Sequence, residues 1–164
     1  MRSSHFILVA ALSALAACSN AAHGTNPSSA SGPTAATNAA EQNLQWGPAP
    51  SVFPPGAEMA VLQGDPSKAE PFTVRLRLPN GYKIAPHTHP TTENVTVLTG
   101  TFLAGMGTQF VESSMQALGR DGFASVPANH PHYAMAQGLT IVQVHAIGPF
   151  ALTYVNAADA PGAR

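Results

Sequence analysis

Three residues between Gly81 and Gly100 have the types and spacing needed to hold a metal ion: His87, His89 and Glu93. All three occupy odd positions, and odd positions of an extended strand share a face. Imidazoles at i and i+2 stand roughly 6.6 Å apart along a strand. From there two side chains can close on one ion at about 2.0–2.2 Å. Glu93 adds a carboxylate, so the set suits a divalent transition metal. Fe(II), Mn(II), Ni(II), Co(II) and Zn(II) all accept such donors, and affinity order does not choose among them. Protonated imidazole cannot coordinate, so binding is expected to weaken as pH falls through the histidine range.

The order G-x5-H-x-H-x3-E-x6-G, filled by Gly81, His87, His89, Glu93 and Gly100, resembles the first signature of the cupin superfamily at every fixed position. The second signature, G-x5-P-x-G-x2-H-x3-N, is recognisable but altered between Asp121 and Ala136. Pro127 and His132 stand in place, the expected glycines read Asp121 and Asn129, and the expected asparagine reads Ala136. Gly122 lies one position late, and Asn129 can itself adopt a left-handed backbone. The resemblance covers roughly residues 59–155. It implies His132 as the last metal-binding histidine, one divalent ion held by His87, His89, Glu93 and His132, and an all-β fold: a single cupin-type double-stranded β-helix, or jelly-roll barrel. It also implies a small-molecule ligand and a homodimer, with the Pro-rich arm before the barrel able to pack on a partner.

The elements that must position these groups follow from patterning. Residues 1–17 carry Arg2, an apolar run from Phe6 and small residues before Cys18, which reads as a signal peptide. Leu15-Ala16-Ala17-Cys18 looks like a bacterial lipobox, implying a lipidated Cys18 and a periplasm-facing protein tethered in the cell envelope, with Ser19 pointing to the outer membrane. Cys18 is the only cysteine, so no intrachain disulfide forms. Residues 18–43 are a linker of small and polar residues that cannot bury a core. The cupin domain is expected over 44–158, with a tail at 159–164.

Within that domain residues 44–56 hold Trp46, Phe53 and four prolines and read as an extended arm on the barrel. Phe72, Val74, Leu76 and Leu78 alternate with Thr73, Arg75 and Arg77, which places the two arginines outward. Pro86 and Pro90 bracket the His-Thr-His tripeptide, so the ligands are expected on a bent, partly loop-like stretch at the barrel mouth. Gly100 is expected to turn the chain. Further short strands are expected over 101–107, 115–118, 123–126, 132–136, 140–147 and 150–155.

A net charge of −1 and 9% charged residues exclude a basic stripe, hence nucleic acid, and leave a lipid anchor as the only membrane contact. No nucleophile elbow, phosphate loop or dinucleotide fingerprint is present. A metal must therefore carry any chemistry. By resemblance the function is that of a small metal-dependent oxidoreductase or dioxygenase acting on a small organic substrate, the alternative being a non-catalytic periplasmic module that binds a metal or small ligand. A purely structural ion would go with a pocket filled by side chains. Tyr133 is a candidate pocket residue; Gln143 and His145 would orient substrate or water if their face of the strand points inward, and would be barrel surface if it points outward.

Overall fold

The computed structural model describes residues 43–163. The signal peptide, Cys18 and nearly all of the linker lie outside the described residues.

Nine antiparallel strands form one continuous hydrogen-bonded network, with no α-helix among the described residues. They are β1 (Gly47–Pro48), β2 (Glu58–Gln63), β3 (Pro71–Leu78), β4 (Lys83–Thr88), β5 (Glu93–Met106), β6 (Gln116–Leu118), β7 (Phe123–Val126), β8 (His132–Ile147) and β9 (Thr153–Tyr154). The network curls because β5 and β8 are long enough to serve two walls. The first half of β5 pairs with β7 and the second half of β8, which continues into β3, β2 and β1. The second half of β5 pairs with β6 and the first half of β8, which continues into β4 and β9.

Separate strands were expected before and after Gly100, and likewise before and after residues 137–139; each pair is instead one bent strand. Gly100 and Gly138 both take positive φ, +75° and +76°, where the paired strands shift register and cross between walls. A Cβ on Gly100 would come within 2.4 Å of the Leu139 carbonyl, so only glycine lets the two backbones fold over each other here. Thr140, fully buried, ties the corner by donating its hydroxyl to the Thr101 carbonyl.

The alternation of β3 is realised directly. Phe72, Val74, Leu76 and Leu78 are buried, and their cross-strand neighbours Val142, Val144 and Ala146 on β8 are buried with them. Arg75 and Arg77 lie on the outer face, where Arg77 pairs with Glu58 at 2.8 Å and covers the Trp46 ring at 3.9 Å. The proline-rich arm packs on its own barrel: Phe53 joins the core, and the Tyr82 and Tyr154 hydroxyls donate to the carbonyls of Pro54 and Val52. The strand expected over 150–155 shrinks to Thr153–Tyr154.

Candidate metal centre

The bend forced by Pro86 appears as a register shift between Ile84 and His87 on β4. It delivers His87 as the Cα partner of His132 on one side and Tyr154 on the other. His89 follows the end of β4, and Glu93 opens β5. All four are buried, none more than 8% exposed. The imidazole centroids of His87, His89 and His132 lie 4.2–5.2 Å apart, and one ring nitrogen from each falls within 4.8 Å of the other two. Glu93 stands beside this trio: its Oε2 is 3.3 Å from His132 Nε2 and 3.7 Å from His89 Nε2.

The protonation pattern follows from what each ring touches. Nδ1 of His87, His89 and His132 lies 2.7, 2.8 and 3.0 Å from the carbonyl oxygens of Ala85, Ala151 and His130. A carbonyl only accepts, so each Nδ1 carries its proton and donates, and each neutral ring turns the lone pair of Nε2 toward its neighbours. His89 Nε2 is buried with no hydrogen-bond partner, a state that calls for a group to satisfy it. In the neutral ring, His132 Nε2 presents a lone pair to a carboxylate oxygen at 3.3 Å. A positive charge must relieve that repulsion, and a proton or a divalent ion supplies it. The donor set therefore fits a metal ion.

Electrostatics hold the set ready for one. Burial, with His132 adding to it, pushes the His87 imidazole down to about 3, and burial likewise lowers His89, with Glu93 acting in the opposite sense. Burial by itself would raise the Glu93 carboxyl, but the His132 hydrogen bond and the surrounding imidazoles hold it below its usual range. Neutral histidines beside an ionised carboxylate are the form that coordinates.

The cluster opens into a cavity of about 430 Å³ between the two walls, with Val95, Phe102, Val142 and Val144 among its mainly apolar lining. Exposed Met106 and Phe123 also border it. The interior is thus not filled by side chains, as it would be around a purely structural ion. Tyr133 borders the cavity, but its ring crosses over Gly105 toward Phe110 and its hydroxyl is used on the Val111 carbonyl at 3.1 Å.

Gln143 and His145 do not belong to the pocket. They project from the outer face of β8, where Gln143 accepts from Arg75 Nε at 3.3 Å and His145 Nδ1 lies 3.1 Å from the Thr73 hydroxyl. The register with β3 is the reason: Val142 and Val144 pair with the inward Leu76 and Val74, which turns the intervening residues out. His130 is exposed and contributes its carbonyl to the site, not its ring. Two further participants had no signal in the sequence. Phe150 stacks on His89 at 5.0 Å and 17°, and the Ala151 carbonyl orients that same ring.

No protein-family model and no curated protein matches the sequence. Solved structures do match. The chain is similar to the polyketide cyclase RemF from Streptomyces resistomycificus (13% identity, TM-score 0.63, covering 77% of this chain and 90% of that one). It is also similar to an acetylacetone dioxygenase-like protein from Methylibium petroleiphilum PM1 (18%, 0.58, 79% and 88%) and an RmlC-like cupin from Shewanella frigidimarina (13%, 0.54, 70% and 94%). The barrel has the cupin fold, and its three clustered histidines are a group that could hold a metal ion.

Proposed function

We propose that the protein is a small metal-dependent oxidoreductase of the dioxygenase kind, with one divalent transition metal held by His87, His89, His132 and Glu93. The observation that carries this reading is the convergence of three Nε2 lone pairs and one carboxylate at the edge of an open apolar cavity, each Nδ1 already committed to a backbone carbonyl. The ion, when bound, supplies a Lewis-acidic and redox-capable centre. The chain does the rest. Apolar walls exclude water and select a small, uncharged substrate that offers oxygen donors. Among the described residues, Glu93 Oε2 is the one carboxylate oxygen beside the histidines, and its charge offsets that of the ion.

One observation favours a non-catalytic binding module instead: among the described residues, the cavity lining holds no charged side chain beyond the four clustered ones, so little is present to move a proton between substrate and solvent. Metal analysis of protein purified without added metal should find about one divalent ion per chain, and the His87→Ala/His89→Ala variant should find none; full stoichiometry in that variant would remove the site. Oxygen uptake with small chelating oxygen compounds such as acetylacetone then separates the readings. Repeated turnover supports the enzyme, and saturation at one equivalent supports the binder.

We also propose that Cys18 is a lipid anchor holding the domain on the periplasmic side of the cell envelope, from the short apolar run ending in Leu15-Ala16-Ala17. Cys18→Ser should leave uncleaved precursor or soluble protein, and an acylated, processed membrane form of that variant would refute the anchor.

A further inference from the structure

Two alanines, Ala104 and Ala134, line the cavity beside the metal cluster. Ala134 lies two residues beyond His132 on the same face of β8, roughly 6.6 Å along the strand. Ala104 is its cross-strand partner on β5, and the row continues through Ile84 on one side and Gln116 on the other, all four bordering the cavity. The other wall contributes the inward residues Val95 and Val144, a paired row that lines the same cavity.

Packed sheet faces stand about 10 Å apart, a gap that Leu- or Phe-sized residues from both sides would close. Alanines opposite valines leave it open. One row further from the cluster, Phe102 pairs with Ala136 on β8 and Leu118 on β6, and these larger rings and branches end the space. The hollow is therefore local and adjacent to the ligand residues.

We propose that Ala104 and Ala134 set substrate size: a ligand whose oxygen donors reach the metal places its apolar substituent, of about the bulk of a phenyl ring, in the hollow above these two methyl groups. The inference rests on the metal-binding reading, and its test keeps the two separate. Full-length protein loaded with Ni(II) is titrated with acetohydroxamate and benzohydroxamate, which share a chelating head and differ only in the substituent.

Wild type should bind the phenyl compound at least tenfold more tightly than the methyl one. Ala104→Leu and Ala134→Val should abolish that preference, leaving acetohydroxamate affinity within about twofold and metal stoichiometry unchanged, while the melting temperature rises because the hollow is filled. Loss of ligand preference with gain of stability is what a packing role alone would not produce. Should either filled variant fail to fold, the other carries the test, and Val144→Ala supplies the opposite change: it should strengthen 2-naphthohydroxamate relative to benzohydroxamate. A phenyl preference that survives both filled variants overturns the hollow while leaving the metal site standing. Failure of acetohydroxamate to bind the loaded wild type overturns the premise that a chelating ligand reaches the metal, and this proposal with it.

Discussion

Among the described residues Glu93 is the only carboxylate in contact with the histidine trio, and its charge is separable from its shape. With Glu93 ionised a divalent ion leaves the site at net +1, and Glu93→Gln makes that +2 while keeping an oxygen donor. Hard, oxygen-preferring ions lose most from the change. Mn(II) and Fe(II) affinity should drop about 10–100-fold, with a clearly smaller loss for Ni(II) and Zn(II), read by competitive titration at one pH; equal weakening of all four would leave the charge without a role. The histidines give a prediction in pH. Free histidine titrates near 6.5, while burial pushes His87 to about 3 and lowers His89. Between those limits the unfolded chain binds protons that the fold does not, so the stability of the metal-free protein is whole above about pH 6.5 and drains as pH falls toward 3. Glu93, also lowered, acts in the same direction further into the acid range. Urea melts at pH 7, 5.5 and 4 should show that loss, reduced in His87→Leu. For the same reason metal binding should persist below the ordinary histidine range, in contrast to what an unperturbed imidazole implies.

At the scale of elements, the site depends on backbone shapes that the sequence meets in two ways. Asp121 and Asn129 stand where the cupin pattern has glycine, and they are the non-glycine residues of the described chain with positive φ, 65° and 59°. The late Gly122 does not substitute; Asp121 takes the left-handed turn itself, which its short polar side chain permits. Asn129 also donates its N–H to the His89 carbonyl at 2.7 Å, joining this turn to the ligand strand. Asn129→Ala should cost about 1 kcal/mol and Asn129→Gly close to nothing, by chemical denaturation. The Gly100 corner is less forgiving, since its obstruction is backbone. Gly100→Ala should cost at least about 2 kcal/mol, and a cost under half of that would mean that the corner relaxes more easily than its contacts imply.

For the whole molecule, the barrel should fold without the ion. Phe72, Val74, Leu76, Val97, Val142 and Val144 belong to one buried apolar cluster that includes none of the four candidate ligands. Chelation should therefore lower the melting temperature and leave the far-ultraviolet strand signal in place. The stabilisation regained on adding metal should follow mass action, about 2.7 kcal/mol at a hundredfold excess over Kd. Collapse of the strand signal on chelation would mean that the ion is part of the folding core.

Much of this architecture was legible locally. Period-two alternation determined β3, because it depends only on strand geometry within a few residues; the single strand face expected for His87, His89 and Glu93 is instead broken by a bend, with His89 past the end of β4 and Glu93 opening β5. Pro86 and Pro90 likewise announced a bend at the ligands. Tertiary structure decided what involves distant chain. It brought His132 opposite His87 and laid Phe150 and the Ala151 carbonyl against His89. It also turned Gln143 and His145 outward. Their strand carries apolar residues on both faces, Ile141 and Ile147 on one and Val142 and Val144 on the other, so alternation defined two faces without saying which was inside. Pairing with β3 broke the tie: the apolar face of β3 could be buried only against Val142 and Val144, and a strand's inward face is set by its partners, not by its own sequence.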